Sequence, residues 1–331
     1  MKRQVVILYN RPVNLDEPSE TDVVNEVDDV EAALRERGWN PSRQGLDGGN
    51  LREVMADLAA RRDQLVVFNL TEGLDGEARH EPLVSGLLEL FGIRYTGNPP
   101  MAMAWSLDKA VAKAVLLGSG VPAPVSWTFR QIPDLAAVES LPYPMALKPA
   151  REDGSLGITA DSFVDGPAKL RARVADLLER FRQPILAEPY LPGREFNVSV
   201  LGEGVDAYAM PVAEMQFLGY REDEPRIVTH QAKWESGSLD DRRTVPKCPA
   251  DLAPEVALQI QGFAVAGFVA MECRDYARLD FRMDADGHPQ VIDVNPNPDI
   301  SRSAGLARAV AVSGLSYEDF IHRLAESAWN R

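Results

Sequence analysis

The run Ala277-Arg278-Leu279-Asp280-Phe281, answered after a turn by Val291-Ile292-Asp293-Val294-Asn295-Pro296-Asn297, decides how this chain is read. Its two apolar segments are joined through Asp284-Ala285-Asp286-Gly287, a turn composition that predicts a β-hairpin. Residues two apart on a strand share a face, so Arg278 goes with Asp280, and Asp293 with Asn295. Leu279, Phe281, Ile292 and Val294 alternate with them and are expected to face a core. Two carboxylates, an amide oxygen and a guanidinium then converge on one surface. Hard oxygen donors of this kind hold Mg²⁺ against phosphate oxygens, and an arginine neutralises charge on a transferred group. A solvated surface hairpin is the alternative, and the strict alternation argues against it.

Composition narrows the partners. The 331 residues are 45% hydrophobic and 26% charged, enough apolar material for two or three compact units. A net charge of −15 argues against nucleic acid, whose backbone calls for clustered Lys and Arg. Two cysteines, Cys248 and Cys273, exclude a disulfide framework or a Cys-rich zinc site. Val5-Val6-Ile7-Leu8 comes too early and is too short for a signal peptide, and no run approaches a membrane span. A cytoplasmic protein acting on small molecules is expected, without a membrane or nucleic-acid partner; a homodimer is compatible with the sequence.

The expected fold class is α/β passing into α+β. Residues 1–100 read as a small parallel α/β domain, 101–189 as a central α+β unit and 190–331 as a second one. Val5–Tyr9, Leu65–Asn69 and Ile93–Gly97 read as strands. Helices are expected around Val23–Leu34, capped by Ser19 or Thr21, and after an Asn50/Glu53 capping box. A further helix is expected over Ser106–Gly118, capped by Ser106. Strands are expected near Met145–Lys148, Ile185–Glu188, Phe196–Leu201 and Ala207–Val212, and a helix over Leu252–Gly267. The stretch Gly219–Pro246 reads as a charged loop, long enough to be functional, and helices from Ser303 and Ser316 close the chain.

Lys148 ends an apolar strand and is followed at once by Arg151-Glu152-Asp153-Gly154-Ser155-Leu156-Gly157-Ile158, a loop able to fold its N–H groups around phosphate. Taken alone, Lys148 reads equally as a snorkelling surface residue, and Lys109 as part of a solvated helix start. Glu188 and Glu195 flank Pro189-Tyr190-Leu191-Pro192-Gly193-Arg194, either an acidic rim or an adenosine pocket.

With these landmarks, joined by Tyr95-Thr96-Gly97, Ser106-Leu107-Asp108-Lys109, Ala232-Lys233-Trp234 and Cys248-Pro249-Ala250, the chain from about Tyr95 to Ile321 resembles the ATP-grasp ligases, and among them the D-alanine–D-alanine ligases. The resemblance implies two α+β units that sandwich ATP. It implies Lys109 and Lys148 on the α- and β-phosphates, the Gly154–Ser155 loop over them, Glu188 with the Pro189, Tyr190 and Leu191 backbone at adenine, and Glu195 at ribose. Lys233 would come down over the γ-phosphate from a lid. Asp280, Asp293 and Asn295 would bind two Mg²⁺ ions, with Mn²⁺ as a substitute, and Arg278 and Ser155 would act at the reacting groups. The implied reaction phosphorylates a carboxylate with ATP and lets an amine displace the phosphate. Cys248 would serve packing.

Three departures from the family stand out. The turn Tyr9-Asn10-Arg11-Pro12 replaces a Gly-rich turn with its serine and an ammonium-binding glutamate. Gly154 and Trp234 stand where serine and tyrosine are usual. Asp299 replaces a glycine, and Ala304 falls where a serine would hold the second substrate's carboxylate. The departures point to substrates other than two D-alanines, with Asp299, Ser301, Arg302 and Ser303 as candidate anchors. D-alanine–D-alanine ligation is the nearest alternative. A nucleotide-binding regulator without turnover is a third, disfavoured because each metal and phosphate position holds a competent residue.

Overall fold

The computed structural model describes residues 3–14, 18–152, 154–221, 224–235 and 237–331, with the side chains of all but 18–20. The first stretch runs β1 (Gln4–Asn10), α1 (Pro18–Glu36), β2 (Asn40–Leu46), α2 (Leu51–Ala60), β3 (Leu65–Leu70), α3 (Glu81–Leu90), α4 (Pro100–Leu107) and α5 (Lys109–Gly118). Three strands form a parallel sheet in the order β2-β1-β3. Because side chains alternate along a strand, β1 and β3 feed two cores. Val5, Ile7, Val66 and Phe68 meet Val23, Val27, Val30 and Leu34 of α1, while Val6, Leu8, Leu65 and Val67 meet α2 and α3.

The second stretch is β4 (Trp127–Phe129), α6 (Leu135–Val138), β5 (Met145–Pro149), β6 (Phe163–Val164), α7 (Pro167–Phe181) and β7 (Ile185–Pro189). Its four strands are antiparallel in the order β4-β7-β5-β6. Met145, Leu147, Ile185 and Ala187 face Leu170, Val174 and Leu177 of α7. The intervening residues, among them Lys148 and Glu188, point away from that core, so this face of the sheet is polar.

The third stretch is β8 (Glu195–Glu203), β9 (Tyr208–Ala209), β10 (Ala213–Phe217), α8 (His230–Trp234), α9 (Leu239–Arg243), β11 (Thr244–Lys247), α10 (Pro254–Ala270), β12 (Arg274–Met283), β13 (Pro289–Asn295), α11 (Gly305–Val312) and α12 (Tyr317–Asn330). The sheet runs β11-β10-β8-β12-β13, with β9 beside β8. Ile260, Ala264 and Phe268 of α10 pack on Val198, Val200, Ala277, Leu279, Phe281 and Val294, leaving the opposite face polar. Phe320, Ile321 and Leu324 of α12 join α1 in covering the N-terminal sheet. Among the described residues no helix is long and apolar enough to cross a membrane.

The hairpin forms as expected, with Gly287 in the left-handed region (φ 83°) closing its turn. One detail differs. Asp280 pairs with Asp293 and Phe281 with Val291, so Ile292 is an extra, bulged residue without a partner on β12. Ile292 therefore faces the polar side with Asp293 instead of joining Leu279, Phe281 and Val294 in the core.

Local details depart from the sequence reading. Ser106 is inside α4; the cap of α5 is Asp108, whose carboxylate accepts from the N–H groups of Ala110 and Val111. Asn50 makes no side-chain cap bond to α2, and instead joins the Asp47 N–H and the Gly45 carbonyl. Thr21 lies within α1, and the Ser19 side chain is outside the described residues. The expected strand at Ile93–Gly97 is one parallel bridge, Tyr95 to Val67. Strand β2, Asn40-Pro41-Ser42-Arg43-Gln44-Gly45-Leu46, has little strand propensity and forms as a partner for β1. The stretch Gly219–Pro246, expected as loop, carries α8, α9 and most of β11; its residues 222–223 and 236 lie outside the description. The region expected as strand over Ala207–Val212 holds the two-residue β9.

Candidate active site

The polar faces of the second and third sheets enclose a cleft of about 1070 Å³. On the third sheet, antiparallel register lines up Ser199 with Arg278 and Asn295, Asn197 with Asp280 and Asp293, and Glu195 with Arg282. Arg278 grips Asp280 through two bonds of 2.8 and 3.0 Å, and the Asn197 amide donates to the same carboxylate at 3.1 Å. Burial alone would raise the Asp293 carboxyl, but Lys109, Lys148, Lys113 and Lys233 hold it down at about 2. The donor set is thus two carboxylates and an amide oxygen on neighbouring register positions. Hard oxygens of this kind, set among lysine and arginine cations, suit a hard divalent ion such as Mg²⁺.

The second sheet and α5 supply cations. Lys148 ion-pairs with Glu188 at 3.1 Å, and Glu188 is paired again with Lys113 of α5 at 2.8 Å. Lys109 lies 3.5 Å from Asp293 and donates to the Glu152 carbonyl at 2.8 Å. At the far end of the cleft, Glu195 is buried, which raises its carboxyl, while Arg282 at 3.2 Å opposes the rise. Arg282 also donates to the Tyr190 hydroxyl and lies over its ring at 5.0 Å. Pro189, Tyr190, Leu191 and Glu195 line this end.

The segment over the cleft is strapped down. The Trp234 indole donates to the Gly154 carbonyl at 3.1 Å, the His230 N–H to the Ile158 carbonyl at 3.3 Å, and the Arg226 N–H to the Tyr190 hydroxyl at 2.8 Å. Gly154 and Ser155 are consecutive left-handed residues (φ 61° and 63°), a conformation that turns successive N–H groups the same way. Asp153, between Lys148 and this turn, lies outside the described residues. Lys233 hangs from α8 into the open cleft near Arg278, Asp280 and Asp293. Limited proteolysis is expected to cut within 219–246 and to slow when Mg-ATP is added, because lids order around what they cover. Equal cutting rates with and without Mg-ATP would show that the segment is no lid.

With this geometry in view, the relatives are informative. The family profile described as "D-ala D-ala ligase C-terminus" matches residues 127–326. The chain belongs to the D-alanine–D-alanine ligase family. It is 33% identical to the uncharacterised protein y4sG of Sinorhizobium fredii over 92% of this chain and 87% of that one. It is 30% identical to a D-alanine–D-alanine ligase of Cupriavidus necator, covering 90% and 85%, and 34% identical to one of Bordetella pertussis, covering 83% and 81%. A crystal structure of the Bacillus anthracis D-alanine–D-alanine ligase complexed with ATP superimposes with a TM-score of 0.76 at 18% identity, over 100% of this chain and 98% of that one. The fold is therefore ATP-grasp, and members of this ligase family are ATP-dependent carbon–nitrogen ligases.

Three further residues belong to the site. Lys113 sits four positions after Lys109 on a helix face that reads as solvated, yet it is buried against Glu188. Arg282 continues the two-residue alternation of Arg278 and Asp280 and could have been found that way. Arg308, on α11, lines the cleft beside Ser303 and Ala304. Among the candidate substrate anchors, Asp299 and Ser303 line the cleft. Ser301 is buried, its N–H and hydroxyl donating to Asp299 at 2.7 and 3.0 Å. Arg302 does not line it: its guanidinium pairs with Glu318 at 2.6 Å and stacks on Tyr317. Asp299 also does not cap the next helix, since α11 starts after Ala304.

Proposed function

We propose that this chain joins a carboxylic acid to an amine through an acyl phosphate, releasing ADP and phosphate, on a substrate pair other than two D-alanines. The observation that carries the reading is the cleft itself, with lysines on one wall facing an arginine and carboxylates on the other. Lys109 and Lys148 are assigned to the α- and β-phosphates, and the Gly154–Ser155 turn to the phosphate backbone. Glu188 with the Pro189–Leu191 main chain is assigned to adenine and Glu195 to ribose. Asp280, Asp293 and Asn295 would hold Mg²⁺, two ions or Mn²⁺ in their place, which neutralises phosphate charge when bound. Arg278, now paired with Asp280, would meet the transferring phosphoryl oxygens, and Lys233 the γ-phosphate. Positioning and charge neutralisation dominate phosphoryl transfer, and a closed lid keeps water from the acyl phosphate.

The three separate sheets support the division into 1–100, 101–189 and 190–331, and a cytoplasmic setting, where ATP is at hand, fits the reaction. The claim on substrates rests on the altered amino-acid end of the cleft, with Asp299, Ala304 and Arg308. The test is phosphate release from ATP across a matrix of amino acids and small carboxylic acids, with mass spectrometry of products. Release that requires an acid–amine pair other than D-alanine supports the proposal. Release with D-alanine alone sinks the substrate claim, and nucleotide binding without acid-dependent release sinks the ligase claim.

Replacing Lys148 by Ala is expected to weaken nucleotide binding by about 1.5–3 kcal/mol, the range for hydrogen bonds to charged groups. Calorimetry with ADP reads this directly. Unchanged affinity would remove Lys148 from the phosphate site.

A further inference from the structure

Glu188 is one carboxylate shared by two ammonium groups, and all three are buried: Lys113 is 3% exposed, Glu188 6% and Lys148 9%. The two lysines engage different carboxylate oxygens. Both also point at the carbonyl of Ile292, Lys148 at 3.1 Å and Lys113 at 3.4 Å, the residue that the bulge leaves unpaired on β13. The triad carries one net positive charge in a region shielded from water. Of its two lysines, Lys148 lines the cleft and Lys113 lies behind it on α5.

This arrangement solves a problem that a simple pair would not. A phosphate entering the cleft competes with Glu188 for Lys148. If Lys148 were the carboxylate's sole partner, its turn to phosphate would strand a buried charge, and that penalty would cancel much of the gain. With Lys113 in place, the carboxylate stays paired whichever way Lys148 turns.

We propose that Lys113 is a positioning residue, the resident counter-ion of Glu188 that releases Lys148 to the nucleotide's phosphates. The inference rests on the phosphate role assigned above to Lys148. It makes the affinity for phosphates, and not for the nucleoside, depend on a lysine that touches no ligand.

The test is calorimetric titration of ADP, and separately of adenosine, into the wild-type protein, Lys113→Met, Glu188→Gln and the double variant. Met keeps most of the lysine stem's volume, and Gln keeps an acceptor oxygen for adenine. Lys113→Met should weaken ADP roughly ten- to hundredfold, the loss of one charge-assisted contact, and leave adenosine within about twofold. In the double variant no carboxylate remains to hold Lys148, so ADP affinity should return most of the way. Should Lys113→Met fail to fold, Glu188→Gln and the double variant, which strand no carboxylate, give the decision: they should bind ADP within about threefold of each other. Equal weakening of ADP and adenosine, absence of recovery, or a tenfold gap between those last two variants would overturn the inference. A wild-type protein that binds no ADP would refute the ligase reading and this inference with it. Wild-type binding that Lys113→Met leaves unchanged would refute the inference alone.

Discussion

Exchanging Asp293 for Asn is expected to lower phosphate release from ATP by about a thousandfold or more, the scale of losing one preorganised charge-stabilising group. The amide has the carboxylate's shape but not its charge, so packing is preserved. The carboxyl is held at about 2 by Lys109, Lys148, Lys113 and Lys233, against the opposing effect of burial, and is ionised throughout the neutral range. Because its folded pKa is depressed, Asp293 adds stability that is present above the unfolded value near 4 and lost as pH falls through about 2. At neutral pH the variant therefore melts a few degrees lower. Its far-UV circular dichroism should match the wild type. A folded Asp293→Asn protein with near-normal turnover at ordinary Mg²⁺ concentrations would show that the metal does not depend on this carboxylate.

Incubation with D-alanine, Mg²⁺ and ATP is expected to yield D-alanyl-D-alanine at least about a hundredfold more slowly than the amide formed from the preferred pair. A site built to pair polar groups rejects ligands that leave those groups unpaired by such factors. Gly154 has no hydroxyl to offer a first substrate. Asp299 is spent on Ser301 and brings negative charge to the cleft wall, while burial raises its carboxyl. Ala304 offers no hydroxyl to a second substrate's carboxylate, and Arg308 introduces a cation nearby. Stoichiometric dipeptide and phosphate at sub-millimolar to millimolar D-alanine would restore the activity named for the relatives.

The hairpin was readable in advance because its signals are local: a turn composition, a two-residue alternation and four polar residues at fixed offsets. The N-terminal sheet was readable for the same reason in β1 and β3, whose unbroken apolar runs announce burial on both faces. Strand β2 was not, since its residues become a strand by pairing with Gln4–Asn10 and not by their own preference. The end of α4 and the start of α5 were misjudged because Ser106 and Asp108 are both good caps, and the sequence does not say which turn breaks. Lys113 was invisible for a deeper reason. A lysine on an amphipathic helix reads as solvated until a carboxylate from a strand 75 residues later is folded against it. Its burial is a property of the assembled sheets, not of the helix.

The extra residue in β13 bears on how this chain could tolerate change. Losing Ile292 would make the ladder regular: Asp280 would still face Asp293, Phe281 would still face Val291, and every polar residue would keep its side. What would vanish is the carbonyl grasped both by Lys148, from the opposite sheet, and by Lys113, from α5 in the same core as β13. Such a shortened chain should pair its strands normally yet lose the bond by which β13 holds Lys148 of the second sheet, so that deletion at this point loosens the two walls of the cleft without altering the polar residues that line them.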